Sequence, residues 1–196
     1  MELILATGNL HKVREFRDLL KKLKSLDLLS LTHFPEYSAP EESGNTFEEI
    51  ASQKALHAAQ ALGRLVLADD SGLSVSFLQN APGIFSKRYA GPNATDSENR
   101  KKLLQEMQHL KDDLRSATLT CSLALASPEG IIAVATGKCE GMIAMEERGN
   151  NGFGYDPLFI KLDYDKTFAE LGESIKNRVS HRRKAIERIL PILENL

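Results

Sequence analysis

Cysteine is scarce in this 196-residue chain. Cys121 and Cys139 are the whole complement, and they form no C-x-x-C pair. That excludes a disulfide framework and a structural zinc site, and it suits a reducing compartment. Neither sign of charge dominates. A net charge of −2 leaves no global electrostatic footprint for nucleic acid or an acidic membrane. Long apolar runs are missing, and none approaches the ~18 residues that span a bilayer. The N-terminus enters an apolar segment with no basic region before it, so no secretory signal is expected and a cytoplasmic location is. Internal repeats and low-complexity tracts are also lacking. What remains is length enough for one well-filled core, either one domain over residues 1–196 or one domain with two lobes.

The segment Met1–Ala6 reads as a short buried strand, and Thr7-Gly8-Asn9 as a tight turn. From Leu10 the apolar residues recur at helical steps: Leu10, Val13, Phe16, Leu19, Leu20, Leu23. Asn9 is the natural N-cap, which sets Lys12 in the first helical turn, where the helix dipole opposes a cation. A bound anion, phosphate above all, would reconcile the two; a lysine bent into solvent is the plainer alternative. The loop is no Walker A motif.

Further along, Leu26–Leu31 reads as a strand. Thr46-x-x-Glu49 is a capping box opening a helix to about Leu62. Leu65–Ala68 is expected to be a strand cut off by Asp69-Asp70-Ser71-Gly72, with Leu73, Val75 and Phe77 alternating beyond it. Thr95-x-x-Glu98 opens another helix, and alternation returns over 117–125, followed by a hairpin partner from Ile131. Thr167-x-x-Glu170 predicts a short helical turn. Ser180 caps a last helix that Pro191 should end or bend. Strand–helix units at the start and long alternating strands in mid-chain predict an α/β fold: a mixed, twisted central sheet flanked by helices, with two lobes around a cleft.

Three groups of residues carry candidate chemistry. Asp69 and Asp70 are adjacent, so in extended chain only one carboxylate can face a given side. With Ser71 and Gly72 they make a plausible magnesium corner, to which Glu41-Glu42 could add a carboxylate; strand termination is the structural alternative. His181 and Arg182 follow the Ser180 cap and repeat the dipole-opposed placement of Lys12, with Lys176 just before them. Gly152-Phe153-Gly154-Tyr155-Asp156 sets an aromatic between glycines, suited to stacking on a nucleobase or to plugging the core. The other histidines, His11, His33, His57 and His109, show no ligand spacing, and no Cys/His or Ser/His/Asp arrangement is evident.

Taken in order, these segments resemble the successive signatures of the inosine triphosphate pyrophosphatase family. They are Thr7-Gly8-Asn9-Leu10-His11-Lys12, Glu42-Ser43-Gly44-x-Thr46-Phe47, Ala68-Asp69-Asp70-Ser71-Gly72-Leu73, Pro82-Gly83-Ile84-Phe85-Ser86-x-Arg88-Tyr89, Gly152-Phe153-Gly154-Tyr155-Asp156-Pro157 and Ser180-His181-Arg182. One departure stands out: Ile50 occupies the place of an Asn in the family's Thr-Phe-x-Glu-Asn-Ala helix. The resemblance implies Mg²⁺-dependent hydrolysis of ITP, dITP and XTP to the nucleoside monophosphate and pyrophosphate. It implies that Thr7, Gly8, Asn9, Leu10, His11 and Lys12 hold the triphosphate, with Lys54 as a further phosphate contact. It makes Asp70 the catalytic carboxylate and a metal ligand, and Glu42 the second metal carboxylate, with Glu41 as the alternative. It places Ser71 against substrate and Phe153, Gly154, Tyr155, Asp156, Lys176, His181 and Arg182 around the base. It further implies a homodimer, with Ile84–Tyr89 as an interface candidate, and no nucleic-acid or membrane partner. The competing readings are a non-catalytic nucleotide sensor, which would need no Asp70, and a pyrophosphatase of ordinary nucleotides.

Overall fold

Alternation in the first strand sorts the core. In β1 (Glu2–Leu5), Leu3 and Leu5 join one apolar cluster and Ile4 another, as expected when successive side chains point to opposite faces. The computed structural model describes all residues, Met1–Leu196. After β1 come α1 (Leu10–Leu20), β2 (Asp27–Ser30), α2 (Phe47–Leu62), β3 (Val66–Val75), α3 (Asp96–Glu106), β4 (Ser116–Ser127), β5 (Gly130–Ile143), β6 (Phe159–Lys161), α4 (Glu173–Val179) and α5 (His181–Leu193). The six strands form one mixed sheet in the order β2-β1-β3-β4-β5-β6. β1 pairs in parallel with β2 and β3, and β5 antiparallel with β6. The two-residue connection Pro128-Glu129 between neighbours β4 and β5 requires a hairpin.

The chain divides into two compact units. The first contains Met1–Asp70, Cys121–Gly137 and Arg182–Leu196; the second contains Ser71–Thr120 and Lys138–His181. In the first, Phe16, Leu19 and Leu20 of α1 and Ala185, Ile186 and Ile189 of α5 pack with Leu3, Leu5 and Leu123. Ala51, Ala55, Ala58 and Ala59 of α2 pack with Ile4, Ala6 and Val66. Small alanines let α2 lie close on the strands. The second unit has its own core, in which Leu73, Val75, Leu103 and Met107 surround the Phe159–Phe168 ring pair at 5.1 Å. No helix is long and apolar enough to cross a membrane.

The caps form as the sequence predicts at three helices. Asn9 Oδ1 accepts the His11 and Lys12 amides at 2.9 and 3.3 Å, Thr46 Oγ1 accepts the Glu49 amide, and Thr95–Glu98 makes a reciprocal box. Two expectations are corrected, at Asp69-Asp70 and at Leu10. Asp69-Asp70 does not stop a strand: β3 runs unbroken through it, because ion pairs satisfy carboxylates that a strand interior could not otherwise hold. The short helical turn expected at Thr167 forms: Thr167 and Glu170 exchange the capping bonds, and the Glu170 and Leu171 amides donate to the Thr167 carbonyl. Pro191 lies within the last turn of α5, which ends two residues later at Leu193. Leu10 leaves the apolar stripe and is 62% exposed.

Candidate functional site

The start of α1 supplies the first group. Thr7 Oγ1 accepts the Asn9 amide at 3.2 Å, so Thr7-Gly8-Asn9 is held by its own side chains ahead of Leu10 and His11. The Lys12 ammonium does not reach into solvent. It lies 2.7 Å from Asp69 Oδ2, and Asp69 is 1% exposed. The cation that opposes the helix dipole is thus balanced by a buried carboxylate. Conversely, an ionised Asp69 without a partner would cost several kcal/mol.

Asp69 is the centre of a buried ionic cluster. Arg182 Nη2 lies 3.8 Å from its Oδ2, and Arg182 Nη1 bonds Glu15 of α1. The Arg182 guanidinium also lies over the Phe16 ring at 5.7 Å. Burial alone would raise the Asp69 carboxyl; Lys12, Arg182 and Lys54 outweigh it and hold the group at about 2. Asp69 is therefore a fixed anion, and Arg182, at 2% exposure, is engaged with Glu15 and Asp69. Cys121, fully buried in the same unit, is pushed up to about 12, chiefly by desolvation, and is chemically inert at neutral pH.

Asp70 behaves differently, as alternation along β3 requires. Burial is the main reason its carboxyl rises to about 6; Asp69 and Glu42 add to the effect, and Lys54 and Lys12 oppose it. Lys54 of α2 stands among these acids. Its Nζ lies 3.7 Å from Asp70 Oδ1, 3.4 Å from Glu42 Oε1 and 3.0 Å from the Asp69 carbonyl. Desolvation lowers the ammonium, but Asp69, Asp70 and Glu42 together hold it above the ordinary lysine range. Glu42, not Glu41, makes the contact to Lys54. Its loop reaches α2 through Gly44, where a Cβ would come within 2.8 Å of Ile50 Cγ1. Ile50, which stands in place of the resembling family's Asn, is itself buried at 1% exposure. No group of three or more His, Cys, Asp or Glu side chains gathers into a metal site. Glu42 and Asp70 are the two carboxylates beside the Lys54 ammonium, and Mg²⁺ commonly takes one or two protein carboxylates beside water and phosphate.

The second unit brings together Phe153, Asp156 and Lys176. Asp156 Oδ2 accepts the Phe153 amide at 2.9 Å and the Lys176 ammonium at 2.5 Å. Lys176 Nζ also lies 4.9 Å from the Phe153 ring centroid. Gly152 has φ +79°, and a Cβ there would fall 2.0 Å from Asp156 Oδ2, so the loop needs glycine at this point. Tyr155 is a packing residue: its phenol donates to the Ser86 carbonyl at 2.9 Å, and burial raises it beyond the usual range. His181 is 5% exposed, and Ser71 is half-buried.

A model of the Ham1 family matches residues 3–192. The chain belongs to the Ham1 family. It is 58% identical over 198 residues to a dITP/XTP pyrophosphatase of Protochlamydia amoebophila (strain UWE25), covering 100% of this chain and 99% of the relative. Among solved structures, a HAM1 protein from Coxiella burnetii superposes with TM-score 0.89 at 42% identity, covering 100% of both chains. The Ham1 protein of Staphylococcus aureus gives 0.86 at 38% identity, covering 100% of this chain and 99% of that one.

Three features of this Ham1 protein escape its sequence. Glu15 carries a role on no local signal; only its burial at a polar position of α1, with Phe16 beside it, hints at a partner. Asp69 reads as the twin of Asp70, yet the two carboxyls move in opposite directions. Helix α4, which carries Lys176, is seven residues long and too short for a periodic pattern. Its only trace is the four-residue step from Ile175 to Val179.

Proposed function

We propose that this Ham1 protein is a Mg²⁺-dependent pyrophosphatase of the non-canonical purine triphosphates ITP, dITP and XTP. It converts each to the nucleoside monophosphate and pyrophosphate. The observation that carries the reading is the placement of Asp70, whose Oδ1 lies 3.7 Å from Lys54 Nζ, with Glu42 Oε1 3.4 Å from the same ammonium, in a chain of this family. A base must be ionised yet able to take a proton, and in the metal-free chain burial raises the Asp70 carboxyl toward neutral pH. Asp69 cannot serve, because its neighbours fix it as an anion.

The first unit serves the phosphate chemistry. Lys12, Lys54 and the start of α1 over Thr7–His11 hold the triphosphate. Two like unit charges ~4 Å apart repel by about 4 kcal/mol at an effective dielectric near 20, so the phosphate charge must be offset before a water-derived nucleophile approaches. Mg²⁺, held by Glu42 and Asp70, would supply further neutralisation of the phosphate oxygens. Asp70 takes a proton from the attacking water, and the anhydride bond between the α- and β-phosphates breaks. Ser71, next in the chain, contacts substrate.

The second unit serves the base. Phe153 stacks on it, Gly154 and Tyr155 shape the loop, and Asp156 anchors Lys176 beside the ring. His181 supplies a further donor in this unit, while Arg182 is engaged with Glu15 and Asp69 in the first. Donors pair with the C6 oxygen of hypoxanthine or xanthine and conflict with the amino group of adenine. Each buried unpaired donor costs ~1–3 kcal/mol, which discriminates by roughly one to two factors of ten. The enzyme acts in the cytoplasm, as a homodimer. Product analysis on ITP, XTP, dITP, GTP and ATP, with and without Mg²⁺, tests the reading. Inosine monophosphate with intact pyrophosphate, only with the metal and in strong preference over AMP from ATP, is expected. Equal use of ATP, or release of single phosphates, would refute it.

A further inference from the structure

We propose that Asp96 and Arg100 of α3 are positioning residues for the nucleobase: they grip the Gly154 peptide and thereby set the Phe153 ring. The inference rests on the reading that Phe153 meets the base. Asp96 opens α3, and Arg100 follows one turn later on the same helix face. Asp96 Oδ2 accepts the Gly154 N–H at 2.7 Å, and Arg100 Nη1 donates to the Gly154 carbonyl at 2.8 Å. One residue is thus held through both of its backbone polar groups by a helix more than fifty positions away in sequence.

The need for such a grip is written in the loop. Gly152 and Gly154 both have positive φ, +79° and +60°, and stand on either side of Phe153. Glycine reaches this region without strain but loses the most conformational freedom when fixed there. Asp156 secures the Phe153 amide from one side. Without α3, the peptide that follows Phe153 would keep much of its freedom, and the ring would sample orientations that do not stack. The two α3 side chains are themselves placed. Arg100 Nε lies 3.0 Å from Glu147 Oε2, with its side chain 14% exposed. Asp96 sits in the first turn of a helix, where a carboxylate is favoured. Neither residue belongs to the motifs that mark the site, and each acts through Gly154 instead of touching substrate.

The test uses the full-length protein with ITP at saturating Mg²⁺, and two probes that divide the substrate: inosine, which carries the base, and tripolyphosphate, which lacks it. Asp96→Ala and Arg100→Ala are expected to raise KM for ITP and weaken inhibition by inosine about three- to tenfold, the size of one hydrogen bond. They should leave kcat and tripolyphosphate inhibition within about twofold. Asp96→Asn keeps an acceptor for the Gly154 amide and should restore KM; Arg100→Lys keeps a donor and should restore it in part. These conservative variants also serve if an alanine variant does not fold. Parallel weakening of tripolyphosphate and inosine would mean general structural damage and overturn the proposal. A Phe153→Ala control separates the two layers. If Phe153→Ala raises KM while the α3 variants do not, the α3 proposal fails and the base reading stands. If Phe153→Ala leaves KM unchanged, the base reading fails, and the proposal with it.

Discussion

Replacing Asp70 by Asn should make the folded protein more stable while abolishing its chemistry, and the gain should depend on pH. The Asp70 carboxyl lies near 3.8 in the unfolded chain and about 6 in the folded one, mainly because burial disfavours its charge. The folded state therefore binds the proton more tightly, and ionisation of this group opposes folding. The penalty is absent below 3.8, grows between 3.8 and about 6, and is complete above that window. At 1.36 kcal/mol per pKa unit it amounts to about 3 kcal/mol at pH 8. Asn keeps the shape without the charge, and Lys54 retains Glu42 and the Asp69 carbonyl as partners. For a chain of this size, 1 kcal/mol moves Tm by roughly 2–4 °C, so Asp70→Asn should gain roughly 6–12 °C at pH 8. Thermal unfolding followed by circular dichroism in EDTA, at pH 4 and pH 8, measures it. The gain should shrink toward zero at pH 4. A variant destabilised at pH 8, or stabilised equally at both values, would refute the reasoning.

Asp69→Asn should act in the opposite sense. Its carboxyl is held at about 2, so its contribution is present above 3.8 and is lost as pH falls through that window; removing the charge strands Lys12 and Arg182 and should cost about 3 kcal/mol or more at pH 7, read by urea unfolding. Lys54→Met should lower kcat/KM for ITP by about a hundredfold or more and raise the pH at which activity appears, because the cation that opposes the rise of Asp70 is gone; an unmoved pH profile would disconnect the pair. Gly44→Ala forces a Cβ to 2.8 Å from Ile50 Cγ1, which should displace the loop carrying Glu42 and raise the Mg²⁺ concentration needed for half-maximal rate, against a control at Gly172, where a Cβ meets nothing.

What the sequence made legible was local. Helices α1, α2 and α3 announce themselves because Asn9, Thr46 and Thr95 each bond an amide within three residues, and the apolar steps that follow face the cores found here. The site motifs were legible as residues, but their wiring was not. Lys12 and Asp69 are 57 positions apart, and Arg182 and Glu15 are 167 apart, so no spacing rule reveals those pairs. The same blindness turned Asp69-Asp70 into an expected strand end. Local preference disfavours two acids in a strand, and only distant cations make the run through to Val75 stable. The dipole puzzle at Lys12 identified a real electrostatic demand, which in the folded chain Asp69 meets from within.

The central role falls to Asp70, as the group that takes the proton from water. Single-turnover hydrolysis of ITP by Asp70→Asn, with pyrophosphate quantified and ITP affinity measured by calorimetry on the same preparation, decides it. A loss of three or more orders of magnitude in rate, on the order expected for removing an activating base, with affinity nearly unchanged, is the predicted result. Near-normal release of pyrophosphate by that variant would contradict it.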